Sequence, residues 1–182
     1  MAEEGRAAED RHTEVRPLRP EPLISVLVSH KVDFVVVGGY AVAAHGFPRA
    51  TKDVDICPDP AEDNLERLAA ALSELEATLI GLDEFEGEFD LEPGLDGLKL
   101  GGNWTLMTKH GRLDVLQAFS LDEAAEGEGS YRDLAPHAVE RTFLGHRARF
   151  CSYDDLLRMK RAAGRAQDKV DIESLKAARS EL

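Results

Sequence analysis

Three aspartates have the spacing of a catalytic carboxylate cluster. Asp53 and Asp55 stand two residues apart in the alternating segment KDVDIC (52–57), and Asp114 follows much later in a second segment that alternates apolar and polar residues. Because side chains alternate along a strand, Asp53 and Asp55 are expected on one face, with Cα atoms about 6–7 Å apart. If the strand of Asp114 lies alongside, three carboxylates converge. Like charges that close repel strongly unless a cation compensates them.

A pair of Mg²⁺ ions would supply that compensation, since Mg²⁺ prefers oxygen ligands. Two metal ions bridged by carboxylates suit in-line phosphoryl or nucleotidyl transfer. The pair Gly38-Gly39, at the end of an apolar run and fourteen residues before Asp53, fits the same chemistry. A chain without side chains at this point can turn sharply and approach a triphosphate closely, with the following helical amides facing the phosphates.

The hydrophobic pattern predicts an α/β (α+β) chain with the aspartates on strands. Strands are expected at 33–37, 52–57, 98–101, 103–108 and 112–119, with a further hairpin over 139–151 about Gly145-His146. Helices are expected at 21–31, 40–46, 60–76, 153–163 and about 167–179. Residues 77–97 are acidic and are expected to be irregular, with room for short strands, and residues 120–136 are expected to form an acidic loop. A charged segment without periodicity, residues 1–20, is expected to be a disordered tail before a single domain over 21–182.

Composition excludes several classes of protein. The chain has 182 residues and a net charge of −13, so it is a poor candidate for coating DNA. Its longest nearly apolar run, 34–44, is too short to cross a bilayer, and no membrane association is expected. The two cysteines, Cys57 and Cys151, cannot form a disulfide framework or a Cys-based zinc site. Without an apolar leader segment in its first 22 residues, we expect a reduced, cytoplasmic protein.

Two segments together resemble a known superfamily. GGYAVAAHGFPRATKDVDI (38–56), followed by RLDVL (112–116), resembles the polymerase-β-like nucleotidyltransferases, which combine a Gly-Gly or Gly-Ser turn, an acid-x-acid strand and a later third acid. The longer form of the first segment is similar to small bacterial nucleotidyltransferases related to AbiEii-type abortive-infection toxins. Such proteins tend to carry a lysine on a helix, then an arginine and an aspartate. The C-terminal segment matches that pattern with Lys160, Arg165 and Asp168.

This resemblance implies a polymerase-β-like fold, in which helices flank a mixed β-sheet, and Mg²⁺-dependent transfer of a nucleoside monophosphate from an NTP such as ATP. By this likeness Asp53 and Asp55 would hold the metal ions, and Asp114 would ligate the catalytic metal and help deprotonate the acceptor hydroxyl. Lys160 would neutralise charge as pyrophosphate departs. The implied nucleotide-binding residues are Gly38, Gly39, Arg49, Thr51, Lys160, Arg165 and Asp168.

Some of these residues have an equally good structural interpretation. Arg49 either contacts a phosphate or pairs with a neighbouring acid, and Thr51 either bonds a phosphate or caps its strand. Arg165 and Asp168 either bind the nucleotide or pair with each other across a break at Gly164. These alternatives stay open at the level of the sequence.

Three functions also remain open. The first is a toxin-like nucleotidyltransferase that modifies tRNA or a protein hydroxyl and is paired with a cognate antitoxin. The second is a small aminoglycoside adenylyltransferase, to which the acidic segment 83–96 would attract a polycationic drug. The third is an inactive binding or antitoxin-like module of the same fold. The presence of all three acids disfavours this third function.

Overall fold

A computed structural model of the chain describes residues 16–80, 93–121 and 129–180. Its centre is one seven-stranded sheet in the order β3-β4-β5-β2-β1-β7-β6. The strands are β1 (Phe34–Val36), β2 (Asp53–Pro58), β3 (Thr78–Leu79), β4 (Asn103–Thr108), β5 (Gly111–Leu116), β6 (Val139–Phe143) and β7 (His146–Phe150). The helices are α1 (Pro20–Ser29), α2 (Gly38–Ala44), α3 (Glu62–Glu74), α4 (Leu95–Lys99), α5 (Tyr131–Leu134), α6 (Tyr153–Ala163) and α7 (Ala166–Ser180), with a 3₁₀ turn over Ala135–His137.

The sheet is mixed, as predicted. Strand β2 lies at its centre, antiparallel to β1 and parallel to β5, and β1 is also parallel to β7. The remaining pairs, β3 with β4, β4 with β5 and β6 with β7, are antiparallel. The predicted fold class, a mixed sheet flanked by helices, is therefore confirmed.

Apolar side chains on the sheet and the helices form one buried core. All three residues of β1 are buried, as expected for a strand covered on both faces. In α3 the leucines recur at helical spacing, and Leu65, Leu68 and Leu72 are at most 3% exposed. Helix α6 is capped at its start by Ser152, whose Oγ accepts from the Asp155 backbone N–H at 3.1 Å. It ends at Gly164, which has a left-handed φ of +61°.

Two local predictions were wrong. The segment 98–101, expected to be a strand, contains no strand, and its first two residues form the end of helix α4. Its leucines suggest a period of two, but Leu98 is fully buried while Leu100 is 80% exposed, so the two side chains do not share a face. Residues 131–136, the end of the acidic loop expected over 120–136, lie instead in α5 and the 3₁₀ turn. A capping box between Ser130 and Asp133 begins α5, and this local signal was readable in the sequence.

Most of the predicted tail, 1–20, lies outside the described residues. Its described end packs against the β4–β5 hairpin: Leu18 contacts the core, and the Arg19 backbone N–H donates to the His110 carbonyl at 2.8 Å. Pro20 then begins α1, where its fixed φ suits the first helical turn. In the part of the chain that the structure describes, no helix is both long and apolar enough to cross a membrane.

Substitution of Gly111 tests this packing of the N-terminal segment. A Cβ at Gly111 would lie 2.7 Å from the Leu18 Cα, whereas a Cβ at Gly145 meets nothing within 4 Å, and both glycines have a left-handed φ. We expect Gly145→Ala to lower the free energy of unfolding by about 1 kcal/mol, from backbone strain alone. Gly111→Ala should lower it by about 3 kcal/mol, because a backbone clash is added. Urea denaturation measures both, and equal losses would contradict the packing.

Candidate active site

The pairing of β2 with β5 positions the three predicted carboxylates. These strands run parallel, and their register sets Asp53 beside Arg112 and Asp55 beside Asp114. The residues that alternate with the aspartates are all fully buried, namely Val54, Ile56, Leu113 and Val115. Because side chains alternate along a strand, the aspartates lie on the opposite face of the sheet. The sequence-based prediction that three carboxylates converge on one face of the sheet is therefore confirmed.

Burial and the charges of its two neighbours act together on Asp55. Burial, with the added charges of Asp53 and Asp114, raises the pKa of the Asp55 carboxyl to about 6. A hydrogen bond from the Gly39 backbone N–H and the positive charge of Lys160 oppose this rise in pKa. The negative charge of the cluster is thus only partly compensated by the groups around it.

Arg112 supplies a counter-charge that the sequence analysis missed. Its Nε and Nη2 donate to the two carboxylate oxygens of Asp114 at 3.1 and 2.9 Å, and its Nε lies 3.8 Å from Asp53 Oδ2. The hydrogen bond to Asp114 is the main reason that the pKa of Arg112 is raised. The period-two rule that aligned Asp53 with Asp55 also aligns Arg112 with Asp114, so the signal was present in the sequence.

The three carboxylates suit Mg²⁺ in their chemistry, because they offer only oxygen donors and carry excess negative charge. Within residues 16–80, 93–121 and 129–180, no group of three or more His, Cys, Asp or Glu side chains is arranged to hold a metal ion. Asp53 and Asp114 are turned instead toward the Arg112 guanidinium. The carboxylate oxygens are therefore of the kind that Mg²⁺ binds, but in this structure the side chains of Asp53 and Asp114 are oriented to pair with Arg112.

The glycine pair packs directly against Asp55. A Cβ at Gly38 would lie 2.0 Å from Asp55 Oδ2, and Gly38 has a φ of +61°, so both space and backbone conformation require glycine. A Cβ at Gly39 would lie 2.6 Å from Thr51 Oγ1. Helix α2 begins at Gly38 itself, two residues before the predicted start at Tyr40. Contact of this turn with phosphates stays a prediction.

Thr51 and Arg49 both bond to carboxylates. Thr51 Oγ1 donates to Asp53 Oδ1 at 3.1 Å, which fixes the position of that carboxylate. Arg49 Nη2 donates to Asp171 Oδ2 at 3.0 Å, and its Nε lies 2.8 Å from Asp171 Oδ1. Arg49 thus pairs with an acid, and Thr51 bonds to the first residue of β2. Phosphate binding by either residue stays a prediction.

The predicted C-terminal residues form a buried ionic network. Lys160 Nζ lies 2.9 Å from Asp168 Oδ1 and 2.7 Å from Asp171 Oδ2, and all three residues are at most 5% exposed. Arg165 Nε donates to Asp168 Oδ2 at 2.7 Å, so the pairing across Gly164 also occurs. Burial alone would raise the pKa of Asp168 and Asp171. Hydrogen bonds from the cations outweigh that effect and hold both pKa values below the ordinary range.

Asp171 is a member of this network that sequence reasoning missed. It is fully buried and accepts from Arg49, from Gln167 Nε2 at 2.9 Å and from Lys160. The sequence did contain a signal for Asp171, because it stands three residues after Asp168 on α7 and the two therefore lie on one face of the helix.

A cleft of about 370 Å³ opens between the carboxylates and this network. Among the predicted site residues, its walls include Gly38, Asp55, Lys160, Arg165 and Asp168. The other predicted residues, Gly39, Arg49, Thr51, Asp53 and Asp114, lie outside its lining. The rest of the cleft wall is largely apolar and includes Leu116, Phe119, Leu156, Met159, Ala162 and Ala163. Phe119 both lines this cleft and packs against the core.

Comparison of the sequence with protein-family models and with curated proteins finds no match. Solved structures do resemble the chain. The lincosamide antibiotic adenylyltransferase LnuA, bound to lincomycin, has a TM-score of 0.57 and 15% identity, over 90% of this chain and 99% of the other. ANT(2″)-Ia, in complex with adenylyl-2″-tobramycin, has a TM-score of 0.50 and 14% identity, over 87% and 91%. The chain therefore has the predicted nucleotidyltransferase fold.

The raised pKa of Asp55 predicts a pH-dependent cost in stability. A carboxyl with a raised pKa favours the folded state when protonated, so its contribution is fully present below about pH 4 and is lost as pH rises through 6. Asp55→Asn should therefore raise the free energy of unfolding of the metal-free protein at pH 7.5 by about 1–3 kcal/mol. The gain should vanish near pH 4.

Chemical denaturation at both pH values measures this difference. Asp63→Asn is the matched control, because hydrogen bonding to Arg67 lowers the pKa of the exposed Asp63. Asp63→Asn should not raise the free energy of unfolding at pH 7.5. A loss of stability in Asp55→Asn at pH 7.5 would contradict the repulsion described here.

Proposed function

We propose that the protein is a Mg²⁺-dependent nucleotidyltransferase that moves a nucleoside monophosphate from an NTP to an acceptor hydroxyl. The observation that carries this proposal is the register of β2 with β5, which sets Asp55 opposite Asp114 and places Asp53 on the same face. The acceptor oxygen would bond to the α-phosphorus as the bond to the bridging oxygen breaks and pyrophosphate leaves. Positioning and charge neutralisation supply most of the catalysis in such a transfer.

The three aspartates would act at the reacting end of the nucleotide. Asp53, Asp55 and Asp114 would hold two Mg²⁺ ions, and these ions would neutralise phosphate charge and orient the attacking and leaving oxygens. Asp114 would also help to remove the proton of the acceptor hydroxyl. Thr51 would keep Asp53 in place through its 3.1 Å hydrogen bond. Gly38 and Gly39 would let the nucleotide approach these carboxylates closely.

The cleft would take the rest of the nucleotide. Its apolar wall, which includes Leu116, Phe119 and Met159, suits the base, and Lys160 and Arg165 suit the phosphates. Three cations, Arg49, Lys160 and Arg165, meet two carboxylates, Asp168 and Asp171, so the network has one positive charge in excess. That excess supports polyphosphate binding at this end of the cleft.

Calorimetric titration with each NTP tests the nucleotide site without knowledge of the acceptor. We expect Mg²⁺-dependent binding to the wild type and at least a tenfold loss of affinity in Asp53→Asn, because a carboxylate proposed to hold the metal is removed. Asp154→Asn is the matched control: this aspartate is 84% exposed and pairs with Arg179 on α7. A folded wild type that binds no NTP would refute the proposal.

For the acceptor, we propose tRNA or a protein hydroxyl, with a cognate antitoxin as partner. The resemblance of 38–56 and 153–175 to AbiEii-like nucleotidyltransferases supports this choice. Three residues carry the C-terminal part of the resemblance, and two of them, Lys160 and Arg165, both bond to the third, Asp168. All three border the same cleft as Asp55. We propose ATP as the NTP donor, so that AMP would be transferred and pyrophosphate released.

An antibiotic is the second candidate acceptor, and the comparisons favour it. LnuA was solved with lincomycin and ANT(2″)-Ia with adenylylated tobramycin, and both share the fold of this chain. Most of the acidic segment 83–96, proposed to attract a polycationic drug, lies outside the described residues. An inactive binding or antitoxin-like module remains the third candidate, although the three aspartates share one face.

Labelling with α-³²P-NTPs distinguishes the candidate acceptors. We expect label on RNA or protein from a bacterial extract and none on tobramycin or lincomycin, with labelling reduced at least a hundredfold in Asp53→Asn. Label on a drug would favour the antibiotic acceptor instead. If NTP binds and nothing is labelled, the inactive module is the correct function.

A further inference from the structure

Arg112 and Lys160 are both cations of the candidate site, but they are held very differently. Lys160 is 5% exposed and lies between two buried carboxylates. The Arg112 side chain is 41% exposed, and its partners Asp53 and Asp114 are 25% and 13% exposed. Lys160 is therefore fixed in the protein interior, whereas Arg112 lies at the solvent side of the carboxylate cluster and can reorient.

Arg112 uses the same oxygen atoms that a metal ion would need. Both carboxylate oxygens of Asp114 accept from its guanidinium, and Asp53 Oδ2 lies 3.8 Å from its Nε. A divalent cation on those oxygens would stand within a few ångströms of a positive guanidinium, and the two charges would repel. Arginine does not lose its proton in proteins, so the side chain must move for the ion to bind.

The geometry points to Arg112 as a displaceable internal counter-ion that competes with the divalent metal for Asp53 and Asp114 and thereby sets the metal affinity of the site. This inference rests on the proposed function, because that function supplies the metal. In the metal-free protein the guanidinium limits the repulsion between the carboxylates, and metal binding releases it toward solvent.

A purely structural role for Arg112 would have different consequences. Arg112 and Asp53 are neighbours across the β2–β5 pair, so the arginine could serve only to join the two strands. Its removal would then lower stability and leave the metal affinity unchanged or weaker. Competition predicts the opposite effect on metal affinity, namely that removal of the guanidinium strengthens ion binding.

Titration of the nucleotide-free protein with Mn²⁺, followed by the electron paramagnetic resonance of the free ion, separates the two roles. We expect Arg112→Gln to bind Mn²⁺ about three- to tenfold more tightly than the wild type. Arg112→Lys keeps the charge but loses the paired hydrogen bonds, and its affinity should lie between the two. Arg147→Gln is the matched control, because Arg147 pairs with Glu140 on the β6–β7 hairpin.

Thermal denaturation gives a second readout that does not depend on turnover. Mn²⁺ should raise the melting temperature of Arg112→Gln by more than it raises that of the wild type, because tighter binding to the folded state stabilises it more. Arg112→Lys keeps the inference testable if Arg112→Gln does not fold.

Two results would overturn the inference. Equal or weaker Mn²⁺ binding by both Arg112 variants, with binding lost in Asp53→Asn, would refute the competition and leave the proposed function intact. The absence of Mn²⁺ binding in the wild type and in both variants would refute the inference and the metal-dependent function together.

Discussion

Repulsion among three carboxylates on one face of the sheet is the constraint on which the candidate site depends. Strand β2 is held on both sides by backbone ladders, to β1 and to β5, so the backbone cannot separate Asp53, Asp55 and Asp114. Only protons and cations can relieve the repulsion. The pKa of Asp55 rises to about 6, Arg112 approaches from the solvent side, and Lys160 acts from α6.

The C-terminal helices add a second electrostatic layer, organised around Asp171. This carboxylate, on α7, joins Arg49 from the segment before β2 to Lys160 on α6. Buried ion pairs are weak evidence for stability, because desolvation offsets much of the attraction between the charges. Their geometric effect is clearer: the helices that bear the cleft wall are tied to the segment that leads into β2, the strand of Asp53 and Asp55. Truncation of Lys160 would remove the cation shared by Asp168 and Asp171 and leave each with a single arginine partner, so its loss would disturb folding as well as any chemistry.

Local periodicity accounts for most of what the sequence could predict. Alternation in 52–57 aligned Asp53 with Asp55, and a capping box and a following glycine fixed α6. Alternation in β5 likewise places Arg112 on the face of Asp114, although a pattern of acids alone does not include it. The pairing of β2 with β5 joins distant segments, and no local pattern encodes it; the common fold of the resembling family pointed to it instead. Asp171 became significant only once α7 packed against α6, and α4 was mistaken for a strand because leucine alternates there by chance.

The strand order also determines what the protein presents to its neighbours in solution. In the described part of the chain the sheet has two edge strands, β3 and β6, and an edge strand can present backbone amides and carbonyls that pair with another chain. Strand β3 is only two residues long. Strand β6 carries Glu140 and Arg141, both exposed, and Glu140 pairs with Arg147 on β7. The shortness of β3 and the charges on β6 both oppose aggregation through strand addition. The wholly apolar strand β1 lies inside the sheet, between β2 and β7.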